Sequence, residues 1–170
     1  MVRFSDAEPL GFEHVLDGFA CGQPALDDWL VEHARTARAA GSARTFVVVD
    51  SEQRRVVGYH ALTVAEIPRR IATHRIARGM PRHPIPAVLL ARLAVDRSVQ
   101  RRELGTFLLR DAMVRTTAAA EVVGIRALLV HALNADACAF YAHHGFEPSP
   151  IDERVLTMLI KDVRAALAAV

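Results

Sequence analysis

A chain of 170 residues with 52% apolar residues and a net charge of only +2 fits one domain, residues 1–170, able to bury most of its apolar surface, and it excludes a disordered polyelectrolyte. No apolar run approaches the roughly 18–20 residues that span a bilayer. The opening Met1-Val2-Arg3-Phe4-Ser5-Asp6 lacks the apolar stretch of a signal peptide, so a cytoplasmic protein with no membrane partner is expected.

In chain order, Leu26, Trp29, Leu30 and Ala34 recur at three- and four-residue spacing and predict a helix over 24–38, stopped by Gly41. Residues 45–50 and 56–64 are apolar and β-branched, joined by a polar 51–55, and read as a hairpin. Residues 68–86 hold Pro68, Pro81, Pro84 and Pro86 and read as irregular. A buried strand is predicted over 87–95, a long helix over 105–123 and a second buried strand over 127–132. A short helix over 135–144 ends at Gly145, a residue suited to a left-handed helix terminus. A last strand occupies 155–160. Strand, glycine-containing turn, helix and strand in series imply a crossover unit on a mixed α/β sheet.

Charge is unevenly placed. Lys161 is the sole lysine among 21 basic residues, and between positions 69 and 102 there are nine arginines and one acid, Asp96, so 9 − 1 leaves +8 locally. Arginine forks match phosphate oxygens, and such a segment suggests a polyanionic partner. A genome-wide arginine bias and a solvated loop are the alternative readings.

Two segments carry candidate chemistry. The turn Gln100-Arg101-Arg102-Glu103-Leu104-Gly105-Thr106 leads from a buried strand into a helix, where backbone N–H groups and the helix dipole favour a pyrophosphate. In 134–146, Asn134 and Tyr141 are nearly two helical turns apart and share a face with small Ala137 between them. At this level Asn134 is equally a helix cap and Tyr141 an aromatic filler. Cys21 and Cys138 make no ligand spacing, the eight histidines make no metal set, and no Ser/His/Asp arrangement is recognisable; no metal is expected.

Leu93-Ala94-Val95-Asp96, then Gln100-x-x-x-x-Gly105, then Asn134-x-x-Ala137-x-x-Phe140-Tyr141-x-x-x-Gly145-Phe146 resemble, in order and separation, the GNAT superfamily of N-acetyltransferases. Phe19-Ala20-Cys21-Gly22, Leu26-Asp27-x-Trp29-Leu30, Arg44-Thr45-Phe46-Val47, Val57-Gly58-Tyr59, Ile85-Pro86, 90–96 and Val130-His131-Ala132 resemble its tRNA-acetylating toxins from bacterial toxin–antitoxin pairs. The resemblance implies an α/β GNAT-like fold: a mixed central β-sheet with a splayed strand, flanked by helices on both faces. It implies acetyl-CoA as donor and the α-amine of charged tRNA as acceptor. A homodimer and a ribbon-helix-helix antitoxin are implied as partners.

By that resemblance Leu93, Ala94, Val95, residues 100–106, Asn134, Ala137 and Tyr141 hold acetyl-CoA. Main-chain groups of Leu93 and Val95 take the pantetheine arm, the Val95 N–H polarises the thioester, and Tyr141 protonates the departing thiolate. Arg78, Arg82 and Arg92, helped by Arg35 and Arg38, are the candidate tRNA phosphate contacts; the same patch suits an acidic antitoxin tail. Acetylation of another amine, and a non-catalytic binding role, are the competing readings. One position departs from the pattern. Glu103 stands where the superfamily turn has its first glycine, and its N–H stays available to phosphate if φ stays negative.

Overall fold

The computed structural model describes residues 3–169. Its strands are β1 (Glu8–Pro9), β2 (Arg44–Val49), β3 (Val56–Ile67), β4 (Ile85–Val95), β5 (Ala127–His131), β6 (Glu147–Pro148) and β7 (Val155–Leu159). Its helices are α1 (Pro24–Glu32), α2 (Ala34–Ala40), α3 (His74–Ala77), α4 (Leu104–Ala120), α5 (Ala135–His143) and α6 (Ile160–Ala168). The strands form one seven-stranded mixed sheet in the order β1-β2-β3-β4-β5-β7-β6, flanked by helices. The β4–β5 pair is parallel and α4 supplies the crossover such a pair needs.

The chain divides into two compact units, residues through Thr63 with Ala91–Ala112, and Val64–Leu90 with the chain from Met113 onward. In the first, Leu10, Leu16, Phe19, Leu30, Val47, Val49, Val56 and Tyr59 form one apolar cluster, with Trp29 and Leu26 packed against it. Val48, Val57, Val99, Leu104 and Leu108 form another. Strand alternation sends Val47 and Val49 one way and Val48 the other. Val57 would share the face of Tyr59, but the ladder passes from Val48↔Gly58 to Val49↔Val56 and leaves it as the extra residue. That bulge turns Val57 into the second cluster.

The second unit buries Ile67, Ala72, Ile76, Ile85, Ala87, Ala127, Leu129, Val155 and Leu159 together. Its parallel ladder runs from Ala87↔Ala127 to Leu90↔Val130 and stops, while β4 continues to Val95. Residues 91–95 therefore have no ladder partner in β5, which is the splayed strand expected.

Three expectations needed correction. The helix over 24–38 is two helices, because His33 at φ −122° leaves the helical region and ends α1 before α2 begins. Gly41, at φ 72°, ends α2 as expected. The irregular stretch contains α3, capped by the Thr73 hydroxyl accepting from the Ile76 N–H at 3.2 Å, and β4 already begins at Ile85. The helix α6 was not expected; it follows β7 without a turn, and its N-cap Leu159 makes no side-chain cap. The sequence thus lacks the start signal that marks α5.

Gly58 is where α4 approaches the sheet. A Cβ built there would lie 2.9 Å from Leu108 Cδ1 and 3.3 Å from Leu104 Cδ2, and Leu108 is fully buried. Gly58→Ala should cost about 1–3 kcal/mol through overpacking. The check is a lowered denaturant midpoint at unchanged m-value.

Candidate active site

The first part of the site is built where β4 ends. Asp96 is 3% exposed and its N–H bonds Val57 O at 2.8 Å. Its carboxylate accepts the Ala20 N–H at 3.0 Å, the Ser98 N–H at 3.0 Å and the Ser98 hydroxyl at 2.6 Å, and pairs with Arg55 at 2.8 Å. Burial works to raise its pKa, but these hydrogen bonds and the Arg55 charge outweigh it and hold the carboxyl below its ordinary value. The Arg97 N–H returns a bond to Ala20 O at 2.8 Å. Loop 18–23 is thereby strapped to the turn after β4. In sequence Asp96 is the one acid of the 69–102 stretch and a residue of a motif; a single acid beside a strand end carries no sign of how many donors it will collect.

Gln100 closes the same strap. Its Nε2 donates to Cys21 O at 2.8 Å and to Val95 O at 3.0 Å, so its side chain holds the turn and is committed to protein carbonyls. Arg101 has φ 65° and Glu103 has φ 60°, with Arg102 between them outside the positive-φ set. The condition of a negative φ at Glu103 is not met. Glutamate here adopts the left-handed conformation that glycine would take without cost. Left-handed residues alternating with others are the setting in which backbone N–H groups can form an anion cradle, so losing the glycine does not by itself remove one. The Glu103 carbonyl accepts the first α4 bond, from the Phe107 N–H at 3.0 Å. Arg101, Arg102 and Glu103 are exposed, and no ion pair links them among the described residues. Leu104 is buried in the apolar cluster, so only its backbone faces the turn; Gly105 is half-buried and Thr106 exposed. On β4, Ala94 is buried, while Leu93 and Val95 are half-buried.

The second part of the site is α5. Asn134 is its N-cap, with Oδ1 accepting the Ala137 N–H at 2.9 Å. The capping role is thus real and leaves the Nδ2 donor uncommitted. Tyr141 is 8% exposed, packed by Phe140 and Phe146 at 5.2 and 5.4 Å between ring centroids. Burial pushes its phenol up to about 12, and its hydroxyl has no hydrogen-bond partner among the described residues. Gly145, at φ 97°, ends the helix as expected. Cys138 is half-buried, as a packing residue would be.

The arginines are less free than the sequence implies. Arg75 pairs with Glu147 and with Asp162 at 2.8 Å, and Arg69 donates to the carbonyls of Met80 and Pro81. Arg92 lies 4.2 Å over the Trp29 ring, which stacks on Tyr59. Arg35 bonds Gly11 O and His14 O, and Arg38 bonds Leu10 O. Arg78 and Arg82 are exposed and have no carboxylate partner among the described residues. A pair that sequence reading missed is His60–Asp111, 2.7 Å apart on β3 and α4, with the imidazole buried and the carboxylate half-buried. Among the described residues no cluster of His, Cys, Asp and Glu could hold a metal, and no helix is long and apolar enough to cross a membrane.

The family profile described as an acetyltransferase (GNAT) domain matches residues 41–148. A tRNA-acetylating toxin of Mycobacterium tuberculosis (strain ATCC 25618 / H37Rv) is 44% identical over 97% of this chain and 94% of its own. The structure of AtaT complexed with acetyl-methionyl-tRNAfMet superposes with a TM-score of 0.87 at 29% identity, covering 96% of this chain and 98% of that one. A tyrosine-to-phenylalanine mutant of AtaT, bound to the C-terminus of the antitoxin AtaR and acetyl-CoA, gives 0.82 at 30% identity over 95% and 96% of the two chains.

Two outcomes follow from the turn. The Asp96 carboxyl is depressed when folded, so its contribution is present above the unfolded value of about 3.9 and is lost as pH falls through the folded value. The melting difference between the native chain and Asp96→Asn should therefore be constant near neutrality and shrink below about pH 3.9. Glu103→Gly should gain about 1 kcal/mol by removing left-handed strain, offset in part by unfolded-chain entropy. Glu103→Ala, which keeps a Cβ, should gain none in the same melts.

Proposed function

The chain belongs to the GNAT family of acetyltransferases, N-acetyltransferases that use acetyl-CoA, and on that premise we propose that it is a toxin acetylating the α-amine of the amino acid on charged tRNA, blocking translation. The observation that carries the reading is the 44% identity, along 97% of the chain, to a tRNA-acetylating toxin. The whole chain, 1–170, is read as one such domain.

The residues fit the donor. Main-chain groups of 91–95 lack a β5 partner, and Leu93 and Val95 offer them to the pantetheine arm. The turn from Gln100 to Thr106 offers N–H groups to the pyrophosphate. In this reading Gln100 and Leu104 hold the turn's shape, while Arg101, Arg102, Glu103, Gly105 and Thr106 supply its surface. The Nδ2 of Asn134 and the small side chain of Ala137 serve the same ligand.

The chemistry needs little from the protein. An α-amino group titrates near 7.7–8.0, so a neutral fraction exists at pH 7 without a strong base. Its nitrogen attacks the thioester carbonyl, a C–N bond forms and the C–S bond breaks. The Val95 N–H polarises the carbonyl oxygen. Tyr141 gives its phenolic proton to the leaving sulfur, and the surplus proton of the attacking nitrogen restores the hydroxyl. A phenol raised to about 12 stays protonated at every physiological pH, so the hydroxyl is in the donor's form when the thioester is attacked.

Arg78, Arg82 and Arg92 are read as phosphate contacts. Arg92 arrives already oriented by Trp29. Arg35 and Arg38 brace the N-terminal loop and keep donors for RNA. An antitoxin that binds this chain follows from the same reading, as the C-terminus of AtaR binds AtaT; a ribbon-helix-helix class, a homodimer and a cytoplasmic location are its finer parts.

Tyr141→Phe should lower turnover on charged tRNA about 10²–10⁴-fold while acetyl-CoA affinity stays near native. The measurement is transfer of labelled acetyl to total charged tRNA, with calorimetry for the donor. A rate equal to the native one would refute the donor role.

A further inference from the structure

A cavity of about 660 Å³ opens on the first unit among Leu10, Phe12, Glu13, Arg35, Arg38 and Arg44. Phe12 is 91% exposed there. A lone exposed aromatic is ordinary, but the loop that carries this one is held rigidly. The Gly11 N–H donates to His14 Nδ1 at 2.8 Å, which puts the ring proton on Nε2, and that nitrogen bonds Glu8 at 2.8 Å. Arg35 clasps the carbonyls of Gly11 and His14 at 3.1 and 2.7 Å. The Leu10 N–H bonds Thr45 O at 2.9 Å, and Leu10 O accepts from Arg38. Phe12 is therefore displayed by a fixed frame on both sides, with its ring in water.

Around the ring the polar groups are of three kinds. Arg38 and Arg44 are exposed cations with no carboxylate partner among the described residues. Glu13 is an exposed carboxylate folded back over Gly11, where a Cβ would meet its Oε2 at 2.2 Å; it takes a bond from its own N–H and lies 3.9 Å from His14, which leaves lone pairs on the solvent side. The second acid at the rim, Glu8, is already committed to His14 and Arg54. A flat apolar face, an acceptor beside it and two guanidinium groups match the parts of one nucleotide: base plane, exocyclic amino group and flanking phosphates.

We propose that this cavity is a nucleotide subsite, in which Phe12 stacks an unpaired base of the RNA, Glu13 accepts from that base's amino group, and Arg38 and Arg44 hold its phosphates. The proposal rests on the charged-tRNA reading above and adds to it a contact outside the acetyl-transfer residues. It gives the enzyme a second grip on its substrate, one that prefers adenine, cytosine or guanine over uracil, which has no amino group.

The test uses the full chain with two probes: charged tRNA in the acetylation assay, and labelled oligo(C), oligo(A) and oligo(U) tetramers in fluorescence anisotropy at fixed salt. Phe12→Ala should raise KM for charged tRNA about ten-fold with kcat little changed, and weaken all three tetramers by a similar factor. Phe12→Trp should restore both. Glu13→Leu, which removes the acceptor, should weaken oligo(C) and oligo(A) relative to oligo(U). Val122→Ala, at another exposed apolar residue, is the control. Native-like KM and tetramer affinity in Phe12→Ala and Arg44→Ala would overturn the subsite and leave the acetylation reading standing. Absence of acetylation by the native chain, with Phe12-dependent tetramer binding intact, would sink the acetylation reading and leave the subsite. A Phe12→Ala protein that keeps RNA affinity but no longer binds its antitoxin would overturn the subsite in favour of a protein partner.

Discussion

The Asp96 carboxylate is the interaction on which the first part of the site depends. A buried anion is costly unless it is fully bonded, and this one gathers two backbone N–H groups, a hydroxyl and a guanidinium. The four donors come from three pieces of chain. Ala20 brings loop 18–23, Ser98 the start of the turn, and Arg55 the foot of β3. Because β4 must end where its next residue can reach all three, the same bonds decide where the main chain of Leu93 and Val95 is presented. Gln100 repeats the device one step further on, binding Cys21 O and Val95 O. Loop, strand end and turn are one rigid object before any ligand arrives, which is how a site keeps its N–H groups aimed without reorganising during reaction.

The turn itself carries a conflict between two constraints. An anion cradle requires left-handed backbone at set positions, and glycine is the residue that adopts it freely. Arg101 and Glu103 adopt it anyway, at a cost of roughly 1–2 kcal/mol each for a residue bearing a Cβ. Surrounding bonds can impose that cost: Glu103 O starts α4 and Gln100 anchors the other side. The side chains turn to solvent, so the departure at Glu103 alters charge near the cradle more than it alters shape.

Electrostatics divides along similar lines. Counted in the sequence, nine arginines between 69 and 102 make one +8 block. In the fold they have different occupations: Arg75 is neutralised by two carboxylates, Arg69 binds carbonyls, and Arg92 rests on Trp29. Charge count along a chain sets only an upper bound on the field available to a polyanion. Arg78 and Arg82 keep theirs. The cavity at Phe12 lies outside that block, in a stretch whose net charge attracts no notice, because its arginines come from α2 and β2 while its acid and aromatic come from the N-terminal loop.

Much of this protein was already legible in the chain. Apolar periodicity and turn residues determined β2, β3, β4, β5, β7, α4 and α5 to within a few residues, because burial of one face repeats at the spacing of the element. The three motif blocks pointed to the family, which the acetyltransferase profile matches over 41–148, and named the candidate site residues. Tertiary structure decided the rest. The break at His33 and the start of α6 carry no local signal, since neither has a capping side chain or a glycine. Ala20 and Arg55 at Asp96, and Arg35, Arg38 and Thr45 behind Phe12, come from residues far apart in sequence. Local chemistry can name such groups, but only packing settles what each one faces, how dry it is and which of its bonds remain to be made.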